Sequence, residues 1–199
     1  LPLFMPVYAL LMVMYIPSNL VYCFDVDCMY TLPEISKYRL LLEFGALTAV
    51  FPGLSLVIMH RYGMVSTIEI DERRERRMLL YGVLLFVAMK YQTSAAENFP
   101  KYILSLPLSG SITIFIFFFL NEWRKVSMHA AGVGIFTGFL LAYVAGHADH
   151  HLWFIQLAVL VSGAVISARL YLEKHTLIEV VVGWFLATFV TFAVNYWYP

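Results

Sequence analysis

The sequence predicts an all-α protein, a polytopic bundle of transmembrane helices, on three observations. Its apolar fraction is 61%. Its charged fraction is 13%. Its apolar residues run continuously over long stretches instead of alternating with polar ones. A soluble domain is about half apolar and about a quarter charged, because polar side chains must cover its surface. Thirteen basic and thirteen acidic residues among 199 are too few for that, and the mean hydropathy is +0.78. Continuous runs point to helices, since the strands of a membrane barrel alternate.

The elements follow in order. A spanning helix needs ~20 apolar residues, or somewhat fewer when its ends are buried in protein. Leu3–Phe24 has no basic flank and no small-residue cleavage site, so it reads as a span and not as a signal peptide. Tyr38–Met59 follows at full length. Met78–Tyr91 is short, and is expected to tilt, to begin in the interface or to stop short of crossing. Tyr102–Leu120, His129–Gly146, Leu152–Leu172 and Leu177–Trp197 complete the set. Six or seven spans are admissible, with seven preferred. No repeat or low-complexity linker is visible, so residues 1–199 read as a single domain.

The balanced charge gives no electrostatic case for nucleic acid, which leaves membrane lipids as the expected partners. Cys23 and Cys28 could pair in an oxidising compartment but make no framework. Short connections make successive helices antiparallel neighbours. One face of the membrane then receives His60–Arg77, Asn121–Met128 and the join near Arg169–Thr176. The other receives Asp25–Lys37, Gln92–Lys101 and Gly146–His151. The first face carries most of the arginines, so the positive-inside rule makes it cytoplasmic. Ala130, Gly134 and Gly138 recur at every fourth position of the fifth segment. In lipid such a ladder lets two helix backbones approach, and packing is its whole reading.

Ionisable groups at helix ends carry the chemistry. His129 opens the fifth segment, Arg169 ends the sixth, and His175 and Glu179 open the seventh. His175 and Glu179 are four apart and share one side of a helix. A carboxylate there can accept from one imidazole nitrogen and leave the other free as nucleophile or base. Arg169 offers a planar fork suited to phosphate oxygens. Ser127 precedes an Ala/Gly-rich run as a candidate N-cap, and a helix N-terminus favours anions. Taken singly, each has a plainer reading: an interfacial His129, a snorkelling Arg169, a surface pair at His175 and Glu179.

Together these residues resemble the type 2 phosphatidic acid phosphatases, a superfamily of membrane lipid phosphatases. The family's third motif, S-R-x5-H-x3-D, is similar to Ala168-Arg169 through His175 to Glu179, followed by Gly183-Trp184. Its second, P-S-G-H, resembles Val126-Ser127-Met128-His129. Its first, K-x6-R-P, has no counterpart; the nearest substitute is the cluster Asp71–Arg77, from which Arg76 or Arg77 could supply charge. That cluster reads equally as a solvated surface loop. Ala168 replaces Ser, Glu179 replaces Asp, and Val126 and Met128 replace Pro and Gly.

The resemblance implies hydrolysis of a lipid phosphomonoester or pyrophosphate through a phosphohistidine, without metal or cofactor. His175 would be the nucleophile, Glu179 its orienting carboxylate and His129 the general acid and base. Arg169, Ser127 and Lys125 would hold the phosphate, with Arg76 and Arg77 beside them. A bacterial inner membrane is the expected location. The alternatives are a non-catalytic protein that binds or transports lipid phosphates, with Glu43 and Lys90 in a polar path, and a metallohydrolase using His147, Asp149, His150 and His151. A haem carrier built on His129 and His175 is disfavoured, because both stand at helix ends on one face.

Overall fold

The computed structural model describes residues 2–16, 29–66, 73–95, 99–146 and 152–198. Cys23, Cys28 and the His147–His151 cluster lie outside them. Among the described residues the chain is helical, without a strand. The helices are α1 (Met5–Tyr15), α2 (Glu34–Arg61), α3 (Arg73–Ala95), α4 (Lys101–Trp123), α5 (Met128–Gly146), α6 (Leu152–Tyr171) and α7 (Leu177–Trp197).

Five of these, α2, α4, α5, α6 and α7, are long and apolar enough to cross a membrane. They mark an integral membrane protein. Large apolar side chains such as Leu160, Phe185, Phe189 and Phe119 point outward, as they do where the surroundings are hydrocarbon. The described helix of the first segment, α1, has 11 residues and is shorter than a span. The third segment grows at both ends into a 23-residue helix. Its first turns are Arg73–Arg77, so the basic cluster is helical and not a loop. Glu75 fastens that end, accepting from the Ser66 backbone N–H at 2.7 Å and the Ser66 hydroxyl at 3.1 Å.

Helix α5 is the most enclosed of the five and lies against α7 along its small residues. A Cβ at Gly134 would stand 2.6 Å from the Trp184 carbonyl oxygen. A Cβ at Gly138 would strike the Thr188 carbonyl. The ladder read in the sequence is this contact. With no hydrophobic drive between helices in lipid, close van der Waals contact supplies the attraction.

Buried polar groups tie the helices sideways. Trp184 Nε1–H donates to Ser162 Oγ at 3.0 Å, and Ser162 shares a 2.9 Å bond with Thr137. Ser105 donates to Asn195 Oδ1 at 2.7 Å, and Asn195 Nδ2–H donates to Ser109 at 3.3 Å. The Lys90 ammonium, 0% exposed, pairs with Glu43 at 2.6 Å across α2 and α3. Arg39 holds the other Glu43 oxygen at 2.8 Å. Both charges are therefore compensated, which such depth requires.

Two ends of the bundle emerge from these contacts. At one, Arg77 meets Glu122 at 3.4 Å, and Ser127 N–H reaches the Glu179 carbonyl at 3.2 Å. These contacts join the start of α3, the α4–α5 turn and the α6–α7 turn. At the other, the Tyr91 and Tyr198 hydroxyls lie 3.4 Å apart.

Candidate functional site

The α6–α7 turn is built by helix-end chemistry. The Lys174 N–H reaches back to the Arg169 carbonyl at 3.2 Å and the Glu173 N–H to Leu170 at 3.0 Å. Glu173 takes the left-handed conformation, φ 53°, that ends many helices in this way. The chain then restarts at once as α7, with Thr176 as its N-cap. The Glu179 N–H donates to the Thr176 hydroxyl at 3.4 Å, and the Thr176 N–H donates to Glu179 Oε2 at 3.2 Å. This reciprocal box satisfies two N–H groups that the helix start would otherwise leave open.

His175 stands one residue before the cap. Its Nδ1–H donates to the same Glu179 oxygen at 2.9 Å. An ionised carboxylate only accepts, so Nδ1 holds the proton and Nε2 keeps its lone pair. The side chains of His175 and Glu179 are 7% and 22% exposed. Burial pushes the imidazole below the ordinary histidine range. The bond to Glu179 opposes that shift, while the positive charges of Lys125 and Arg169 add to it. His175 is therefore neutral at neutral pH despite its carboxylate partner.

Lys125 and Arg169 thus act on the same imidazole from two different turns. Arg169 Nε is buried and has no hydrogen-bond partner among the described residues. A buried guanidinium N–H without an acceptor is able to donate to an anion.

Ser127 is fully buried and caps α5, its hydroxyl accepting from the Ala130 N–H at 3.3 Å. Its own N–H is taken by the Glu179 carbonyl. The stretches Val126–His129 and Ala168–Glu179 are therefore joined through their backbones. Gly183 makes the approach possible, because a Cβ there would stand 2.8 Å from the Ser127 carbonyl oxygen. His129 sits two residues beyond Ser127, half-buried in the first turn of α5.

Arg76 is buried in the first turn of α3, at 7% exposure. Arg77 pairs with Glu122 at 3.4 Å, both side chains being exposed. The cations that act on His175 are Lys125 and Arg169. Two contributors were not singled out in the sequence, Thr176 and Glu122, and Gly183 was noted only as following the His175–Glu179 stretch. The first was readable, since Thr176-x-x-Glu179 is a capping-box pattern. Among the described residues no three metal-ligating side chains gather.

No family model matches the chain, and no curated protein or solved structure matches it.

Proposed function

We propose that this chain is a membrane phosphatase that hydrolyses a phosphomonoester or pyrophosphate of a lipid through a phosphohistidine. The observation that carries the reading is the His175–Glu179 bond with Lys125 and Arg169 acting on the same ring. A neutral imidazole with its Nδ1 proton fixed, in the field of two cations, is suited to attack phosphorus with Nε2. The Nε2–P bond forms as the bond to the lipid oxygen breaks. His129 gives that oxygen a proton. It then takes a proton from a water whose oxygen attacks the phosphohistidine. The N–P bond breaks and inorganic phosphate leaves. Arg169 and Lys125 offset charge on the equatorial oxygens. The reading has seven crossings, with α1 and α3 counted among them.

The test is phosphate release from a panel of lipid phosphates by the detergent-purified protein, in EDTA. Release is expected, and His175→Ala should lower it by about 10³-fold or more. Undiminished release in that variant would sink the mechanism.

One observation favours a second reading. Ser127 is buried, with its N–H given to the Glu179 carbonyl and its hydroxyl oxygen accepting from the Ala130 N–H, which leaves a single O–H for a bound phosphate. A non-catalytic protein that binds lipid phosphate needs only the cations. Saturable binding without release would select it.

A further inference from the structure

Exposed aromatic side chains stand at both ends of the bundle, where spans leave the hydrocarbon. At the candidate-site end they are Tyr62, Trp123 and Tyr171, which are 78%, 78% and 87% exposed. At the other end they are Tyr38, Tyr196 and Trp197. Helix α4 runs from Lys101 to Trp123, and its helical rise makes it about 35 Å long. A hydrocarbon core of ~30 Å leaves both of its ends among the headgroups.

The two rims differ in their cations. At the end away from the candidate site, each described cation has a partner in the protein. Lys37 pairs with Glu34 at 2.9 Å, and its ammonium lies 5.1 and 5.0 Å from the Tyr15 and Tyr30 rings. Arg39 and Lys90 share Glu43. Lys101 lies over the Tyr102 ring. At the candidate-site end Arg61 and Arg124 are exposed, and neither has an ion pair among the described residues. Glu122, two residues from Arg124, pairs with Arg77. Glu69, Asp71 and Glu72, between α2 and α3, fall outside the described residues.

Arg61 ends α2 beside Tyr62, and Arg124 follows α4 beside Trp123. The Ser66–Glu75 bond sets the chain after α2 against the start of α3, and the Arg77–Glu122 pair sets the start of α3 against the end of α4. Both arginines therefore belong to one rim. An exposed ring settles at the boundary between acyl chains and headgroups. A guanidinium beside it presents a planar fork to phosphate oxygens at that level.

We propose that Arg61 with Tyr62, and Arg124 with Trp123, bind the headgroups of anionic phospholipids. The inference is independent of the phosphatase reading. Arg124 immediately precedes Lys125, so the bound headgroups gather beside the turn whose charge acts on His175. Each arginine also has a plainer role, since a cation at a helix C-terminus interacts favourably with the helix dipole. That role stabilises a helix and is blind to the lipid outside it.

The test is electron spin resonance of the protein in phosphatidylcholine bilayers, with spin-labelled phosphatidylglycerol or spin-labelled phosphatidylcholine as the probe. The motionally restricted fraction gives the relative association of each lipid. Phosphatidylglycerol is expected to associate about threefold more strongly, as basic residues at an anionic surface would have it. That excess should shrink towards equality in about 1 M salt. In the double variant Arg61→Gln/Arg124→Gln the ratio should fall to about one, and each single variant should remove about half of the excess. Wild-type helical dichroism and elution volume check that the variants fold. Equal association of the two lipids with the wild-type protein would overturn the proposal. So would an excess that survives in the folded double variant. A lower melting temperature with the excess intact would leave the arginines the dipole role alone and reject headgroup binding.

Discussion

The backbone N–H of Ser127 donates to the carbonyl of Glu179 over 3.2 Å. That bond fixes the height of the α7 start against the turn that carries Lys125 and His129. It forms only because Gly183, one turn further along α7, has no Cβ to strike the Ser127 carbonyl.

Gly183→Ala should therefore push the two turns apart. The expected cost is about 1–3 kcal/mol of stability. Turnover should fall by about tenfold to a hundredfold, since reacting groups tolerate little misplacement. Thermal unfolding in detergent and kcat at saturating substrate check the two effects separately. Wild-type kcat would show that the approach is not needed.

Glu179→Gln keeps an acceptor for His175 Nδ1 but removes the charge. Turnover should drop by about 10²–10⁴-fold. The carboxylate raises the His175 pKa against its burial, so its loss should lower that pKa further. Slower phosphate release with a more acidic titration is the pair of results expected on the phosphatase reading. A titration moving the other way would contradict the assignment.

The pH profile follows from the same balance. Burial, helped by Lys125 and Arg169, holds His175 below its ordinary value of 6.5. In the proposed mechanism His175 attacks as the neutral imidazole, and a depressed pKa keeps it neutral to lower pH. The acidic limb of kcat/KM, which reports the free enzyme, should thus lie below that value. Lys125→Ala removes a charge that lowers the pKa, so its limb should move upward. An unmoved limb in Lys125→Ala would show that this cation does not act on His175.

Glu173 holds the left-handed conformation that glycine takes without cost. For an L-residue the cost is ~1–2 kcal/mol. Glu173→Gly relieves it and gives part back as chain entropy, for a net gain of about 0.5–1 kcal/mol. A higher unfolding temperature with unchanged kcat is expected. A lower one would mean that the Glu173 side chain contributes more than its strain.

Much of this fold was legible because lipid imposes simple demands. Each of the seven apolar segments contains a described helix, since backbone groups in hydrocarbon must bond within their own segment. The Gly134 and Gly138 ladder announced the α5–α7 contact for a similarly local reason. The spacing of His175 and Glu179 announced their bond, because four residues is one helical turn. Glu at that position also has the reach to close the capping box on Thr176, a role that calls for Glu or Gln at the third helical position.

The departures were of a different kind. The extent of α3 was missed because charged residues interrupt an apolar run without interrupting a helix. The ion-pair partner of Arg77, Glu122, is forty-five residues away and invisible to any local pattern. Ser127 was read as both cap and phosphate ligand; its hydroxyl oxygen caps α5 by accepting from the Ala130 N–H.

By itself, the sequence determined that this protein is helical, that it lies in a membrane, and which residues bear ionisable groups at helix ends. Those properties depend on composition and on spacings within a single turn. Only the tertiary structure decided which of those groups share a site. Lys125 acts on His175 because Gly134, Gly138 and Gly183 let α5 and its preceding turn lie against α7, and such close approach is a property of two helix surfaces meeting.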